Sequence, residues 1–138
     1  RQYFHRPAVT TDLICGFPDE TNREFEQTMA FIEKCAFADM HIFPYSVRPG
    51  TKAAELVQFS AAVKEERTRR AVAVHRAYLE GCVGQTYPVL YEQEKDGLYT
   101  GHAPNYCEVC VRAEDLHNRI IDTKIVGIDG DVLIGELT

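Results

Sequence analysis

Hydrophobic periodicity predicts an α/β segment followed by a compact all-β module, with the change near Gly81. Three observations predict it. A strand–helix–strand pattern fills the first forty or so residues, a long helix covers 60–80, and five short strand-like runs follow residue 82. The expected domains are therefore 1–81 and 82–138.

Residues 8–15 (AVTTDLIC) are rich in β-branched and apolar side chains, and Gly16-Phe17-Pro18 ends the run, so it reads as a mostly buried strand. Thr21 and Glu24 have capping-box spacing: the threonine oxygen accepts an orphan helix N–H while the glutamate reaches back. Phe25, Met29, Ile32 and Ala36 follow at helical spacing and form one apolar stripe. A second strand, AFADMHIFPYS, stops at Pro44, which completes a βαβ unit with parallel strands. A turn-rich loop over 46–51 leads to the helix over 60–80, with Gly81 as its stop. Lys64, Arg67, Arg69, Arg70 and Arg76 mix there with Glu65 and Glu66. That pattern suits a solvated helix face or, more sharply, a strip facing phosphates.

The runs TYPVLYE, GLYTGH, NYCEVCVR, RIIDTKIVGI and VLIGEL are separated by turn signals at Lys95-Asp96-Gly97, before Asn118, and at Asp129-Gly130. Five strands in so short a span predict a small antiparallel β-barrel of the oligonucleotide-binding kind, because closure removes exposed edges.

Composition narrows the function classes. No apolar run is long enough to span a membrane, and the first residues lack a signal-peptide pattern, so a cytoplasmic protein is expected. Five cysteines, at 15, 35, 82, 107 and 110, are odd in number and scattered, which argues against a disulfide framework. Cys107 and Cys110 form a C-x-x-C, yet strand alternation sets Cys107 with Val109 and Val111, and Cys110 with Glu108 and Arg112. Without a second pair, ordinary thiols are expected and no metal site. Residues 1–81 carry eleven acidic and eleven basic side chains, whereas 82–138 carry ten and four, which accounts for the whole net charge of −6. A nucleic-acid binder held by charge would show the opposite balance.

Three longer strings stand above composition: TTDLICGFPDET (10–21), ADMHIFPYSVRPGTKAAEL (38–56), and GHAPNY (101–106) with VLIGEL (132–137). Together and in this order they resemble the carboxy-terminal part of the radical S-adenosylmethionine methylthiotransferases. The HIFPYS-x-RPGT-x-A segment and the GHAPNY loop are most similar to the branch acting on tRNA threonylcarbamoyladenosine. The resemblance covers about residues 8–138. It implies the end of a partial radical-SAM (β/α) barrel followed by a TRAM domain that helps hold tRNA. It also implies an enzyme that makes a 2-methylthio derivative of the modified adenosine beside the anticodon, using two 4Fe-4S clusters and S-adenosylmethionine.

The chain departs from that pattern at its front, with no C-x-x-x-C-x-x-C and an abrupt passage from RQYF to HRPAV. The expectation is a carboxy-terminal fragment with a gap or deletion near residue 4, catalytically silent by itself and binding neither cluster nor S-adenosylmethionine. In the whole enzyme, the resemblance implies that Gly16, Phe17, Pro18, Phe43, Pro44 and Tyr45 border the S-adenosylmethionine adenine, at the carboxyl ends of two parallel strands. The alternative is that Gly16 and Pro18 shape a turn while Phe43 and Tyr45 fill core space. Arg48 is a candidate phosphate contact or an unremarkable surface arginine. His102, Asn105 and Tyr106 are candidates for stacking on and reading unpaired bases, against a plain turn stabilised by Pro104 and Asn105 with Tyr106 buried. No catalytic residue and no metal ligand is expected within the chain. A strand edge left open along 8–15 implies dimerisation or strand exchange. The competing functions are a stand-alone RNA- or protein-binding β-barrel, and a methylthiotransferase acting on another tRNA adenosine or a ribosomal protein.

Overall fold

A computed structural model describes residue 3 and residues 7–138. The expected irregularity near residue 4 falls outside the described residues. The chain forms two compact bodies: one is Thr10–His75, and the other is Arg76–Thr138 with the described residues before Thr10.

In the first body, β1 (Thr10–Cys15) and β2 (Asp39–Pro44) pair in parallel across α1 (Asn22–Cys35). Both halves of the capping box at Thr21 and Glu24 are made, with Glu24 Oε2 2.8 Å from the Thr21 backbone nitrogen. Phe25, Met29 and Ile32 of α1 are buried with Cys15, Met40 and Ala71. Ala36 departs from the expected stripe: it leaves the helix as a left-handed cap (φ 47°), and its N–H bonds the carbonyls of Ile32 and Glu33. After a short helical turn at Lys52–Glu55 comes α2 (Ala61–Glu80), which crosses the boundary between the bodies at residue 75.

Helices cover one face of the strand pair, the face holding Leu13, Cys15, Met40 and Ile42. The opposite face carries Thr10, Asp12, Ile14, Asp39, His41 and Phe43, and Ile14 there is 45% exposed. The expected mostly buried strand is therefore buried on one face only. A parallel strand has its second face covered only where another layer exists, and none lies among the described residues of this body.

The second body is a closed barrel of β3 (Thr86–Lys95), β4 (Leu98–His102), β5 (Glu108–Arg112), β6 (Arg119–Asp129) and β7 (Val132–Leu137), in the order β3-β4-β5-β7-β6. Four pairings are antiparallel, but β5 and β7 run parallel. This corrects the all-antiparallel expectation, and the reason is parity: an odd number of strands closed in a ring cannot alternate direction at every seam. The barrel is of the compact oligonucleotide-binding kind and compatible with a TRAM domain.

Its interior holds Val89, Tyr91, Val109, Val111, Ile125 and Leu133, with Leu79 of α2. The buried hydroxyls of Tyr91 and Thr123 share a hydrogen bond of 2.8 Å. Two glycines permit backbone crossings that a side chain would block. A Cβ on Gly101 would lie 2.0 Å from the Leu90 carbonyl oxygen, beside the bulge between Tyr91 and Gln93. A Cβ on Gly135 would lie 2.3 Å from the Thr123 methyl.

Candidate functional sites

In the first body, the register sets Cys15 against Pro44, so Gly16-Phe17-Pro18 and Phe43-Pro44-Tyr45 leave neighbouring strands at the same end. The Tyr45 N–H donates to the Cys15 carbonyl at 2.8 Å, which carries the pairing one step beyond the strands. Phe17 and Tyr45 meet edge to face, centroids 5.3 Å apart, and Phe17 is 43% exposed. Gly16 has φ 72° and packs on α2, where an added Cβ would meet Lys64 Cγ at 2.8 Å. Lys64 donates to the Tyr45 carbonyl at 3.1 Å, and its ammonium lies 5.2 Å from the centre of the Tyr45 ring. The Tyr45 hydroxyl is buried without a partner. Pro18 is buried and Pro44 exposed, and Phe43 lies on the uncovered face beside His41, at 5.2 Å between ring centres.

Arg48 is exposed in the loop that follows, where its carbonyl accepts from the N–H and hydroxyl of Thr51. Sequence reasoning listed Lys64 among the helix cations but missed its contact with Tyr45, and also missed the Asp12–His41 contact of 3.7 Å on the uncovered face. Alternation along both strands holds the signal for the latter pair. Nothing local marks Lys64, which reaches Tyr45 only through the packing of α2.

The five cations of α2 are engaged within the chain. Arg67 is buried, bonds the Glu20 carboxylate at 2.5 Å and the Asn22 side chain at 3.1 Å, and lies over the rings of Phe25 and Phe59. Arg70 grips Glu26 through two bonds of 2.6 and 2.8 Å, and Arg69 pairs with Glu66. Arg76 bonds the Gly130 carbonyl at 2.8 Å. A strip presenting Arg67 to phosphates is therefore corrected, because that guanidinium closes the core around Phe25.

In the second body, His102 ends β4, and a tight loop returns the chain to β5. The Tyr106 N–H donates to the Ala103 carbonyl at 2.8 Å, and the Ala103 N–H to the Cys107 carbonyl at 3.0 Å. Asn105 is buried: its Oδ1 accepts from the Cys107 N–H, while its Nδ2 lies 3.5 Å from the Tyr78 hydroxyl and 3.6 Å from Cys82 Sγ. Tyr106 is 60% exposed and has φ 69°, a left-handed backbone that costs an ordinary residue about 1–2 kcal/mol. The His102 and Tyr106 rings lie 5.5 Å apart and 34° from parallel, and Glu92 holds His102 Nδ1 at 2.9 Å. The plain-turn alternative is thus right about Asn105 and wrong about Tyr106. The loop spends an amide inward to display two rings outward.

Among the described residues no group of three or more His, Cys, Asp and Glu side chains could hold a metal. Cys15 and Cys35 lie in one body and Cys82, Cys107 and Cys110 in the other, with no three of them converging, so they do not fit a 4Fe-4S cluster. Their alternation around the C-x-x-C is as expected: Cys107, Val109 and Val111 are buried, while Glu108 and Arg112 are exposed. No described helix is long and apolar enough to cross a membrane.

With the strand-end ledge, the capped βαβ unit and the aromatic loop of the barrel described, comparison with known proteins gives the class the chain resembles. Over most of its length the chain is homologous to tRNA methylthiotransferases. It is 36% identical over 130 residues to the threonylcarbamoyladenosine tRNA methylthiotransferase of Bacillus subtilis, covering 86% of this chain and 29% of that protein. The threonylcarbamoyladenosine tRNA methylthiotransferase of Drosophila melanogaster is 35% identical over 142 residues, 94% of this chain and 26% of the relative. The tRNA-2-methylthio-N(6)-dimethylallyladenosine synthase of Chloroflexus aurantiacus is 38% identical over 130 residues, 86% of this chain and 28% of the relative. The chain thus spans under a third of the length of these relatives. No protein-family profile matches it.

Proposed function

We propose that this chain is the carboxy-terminal part of a tRNA methylthiotransferase that converts N6-threonylcarbamoyladenosine beside the anticodon to its 2-methylthio derivative. The homology over most of the chain carries the proposal. The strand pair adds support. In a (β/α) barrel the helices lie outside and the other strand face lines the interior. Here helices cover one face, leaving Asp12, Ile14, His41 and Phe43 on the other.

The Phe17–Tyr45 ledge at the strand ends, with its unpartnered Tyr45 hydroxyl, suits the edge and face of a planar heterocycle such as the adenine of S-adenosylmethionine. In this reading Gly16 and Pro18 shape the ledge, while Phe43 and Pro44 border it. S-adenosylmethionine would supply the radical and the methyl group, and the cluster thiolates would come from residues outside this sequence. The barrel is the tRNA-holding part: His102 and Tyr106 stack on unpaired bases, Asn105 holds their loop in shape, and Arg48 offers a phosphate contact. The open edges of the two-stranded sheet favour dimerisation or strand exchange through residues 8–15. Sedimentation showing only monomer would remove that part of the reading.

The second reading within the class is a dimethylallyladenosine substrate, favoured by the similarity to the Chloroflexus aurantiacus enzyme. Deleting the gene and analysing tRNA nucleosides decides. Loss of the 2-methylthio derivative of threonylcarbamoyladenosine is expected. Loss of the dimethylallyl product selects the second reading, and an unchanged nucleoside profile overturns the class.

A further inference from the structure

Inside the barrel body, a cavity of about 560 Å³ opens beside the end of α2, lined among others by Tyr78, Cys82, Gln85, Tyr87, Pro104 and Asn105. Cys82 sits in the turn after α2, where Cys82 N–H bonds the Leu79 carbonyl at 2.9 Å. Both Cys82 and Cys107 are 4% exposed, and both thiols are reduced. Three groups converge on the Cys82 sulfur: the Cys107 thiol, the Tyr87 hydroxyl, and the Asn105 amide at 3.6 Å. All three are donors, an arrangement that favours thiolate over thiol. The Tyr78 carbonyl, 3.6 Å from the sulfur, accepts from the thiol and favours the protonated form.

We propose that Cys82 and Cys107 form a hydroperoxide-reactive dithiol, in which Cys82 attacks from the cavity wall and Cys107 resolves. The Cys82 thiolate attacks one peroxide oxygen, the O–O bond breaks, and hydroxide leaves. Cys82 becomes a sulfenic acid, oxidised by two electrons as the peroxide is reduced. The Cys107 thiol then gives up its proton and attacks the Cys82 sulfur, the S–O bond breaks, and the oxygen departs as water. The sum is two thiols and one hydrogen peroxide giving one disulfide and two waters. A small oxidant suits a sulfur with so little outer exposure that faces a cavity.

The remaining thiols are contrasts. Hydrogen bonds from Cys107, and then from Tyr87 and Asn105, draw the Cys82 thiol down to about 6 against the opposing effect of burial. Burial pushes the Cys15 thiol up, and burial with Asp129 and Glu108 pushes up Cys110. Burial and its bond to Cys82 push the Tyr87 hydroxyl up as well, which keeps it a donor. A thiolate is less nucleophilic when its pKa is low, which offsets part of the advantage that greater abundance gives Cys82 at neutral pH.

The test treats the reduced 138-residue chain with hydrogen peroxide, caps remaining thiols under denaturing conditions, and maps the peptides by mass spectrometry. The expected product is a Cys82–Cys107 disulfide, formed several-fold faster than oxidation of Cys15 or Cys110. Its rate should rise with pH through about 6 and level off by neutrality. In Cys107→Ser, a dimedone-trapped sulfenic acid should accumulate on Cys82. Oxidation spread evenly over the five thiols, a rate that rises only above pH 8, or no Cys82–Cys107 product would each overturn the proposal.

Discussion

The two bodies solve the problem of an open sheet in opposite ways. The barrel closes on itself, so every strand has two neighbours and its apolar interior is complete with Tyr91 and Thr123 hydrogen-bonded inside it. The α/β body leaves two strands with one covered face and open edges, and Arg67, a buried charge paired with Glu20 and bonded to Asn22, fastens α2 to the start of α1. The barrel's form is set by its own closure. The strand pair has no such closure, and its uncovered face mixes polar Asp12 and His41 with apolar Ile14 and Phe43.

The largest expected effect separates the bodies from the barrel side. Gly101→Ala drives a Cβ into the Leu90 carbonyl, and should cost more than about 4 kcal/mol because backbone, not a side-chain tip, must move. Region-resolved hydrogen exchange should show protection lost over 86–137 and kept over 10–75; uniform loss would break the comparison. Arg67→Met is the counterpart. Removing one partner of a buried ion pair leaves the Glu20 carboxylate uncompensated, at about 3 kcal/mol, and protection should fall over 10–75 alone.

Thr21→Ala removes the capping box and should lower the stability of the α/β body by about 1 kcal/mol in urea titration, with no change in the barrel. Smaller still is the response to acid. Hydrogen bonds from Thr21 hold the Glu24 carboxyl below its ordinary 4.5, and Arg70 and Arg69 do the same for Glu26 and Glu66. A carboxyl whose folded pKa is depressed adds stability that is present above its unfolded value and lost as pH falls through the folded one. The α/β body should therefore weaken measurably below about pH 4.5. A melting temperature there that is flat down to pH 3 would contradict these contacts.

Much of this was legible in the sequence because local signals and global fold agree. The capping box, the period of Phe25, Met29 and Ile32, and the Asp96-Gly97 turn each state a local choice that the fold keeps. The parallel β5–β7 seam was not legible, since strand direction follows from closure and not from any residue within either strand. The aromatic loop was half legible. GHAPNY marks a turn with an amide and two rings, but which of them faces inward depends on Tyr78 and Cys82, more than twenty residues away. Arg67 was misread as a surface cation for the same reason: its partners Glu20 and Asn22, at the start of α1, lie 47 and 45 residues earlier in the chain. In GHAPNY and VLIGEL, Gly101 and Gly135 answer to barrel packing, so part of each string is explained without any ligand.

The central claim is that the acidic barrel holds tRNA by stacking more than by charge. Fluorescence anisotropy of a labelled tRNA anticodon stem-loop, titrated with the chain from low to moderate salt, tests it most directly. The account predicts a Kd of about micromolar or weaker with a shallow salt slope, and roughly tenfold weaker binding in the His102→Ala/Tyr106→Ala double variant at unchanged stability. Nanomolar binding with a steep salt slope, or binding indifferent to that double substitution, would contradict it.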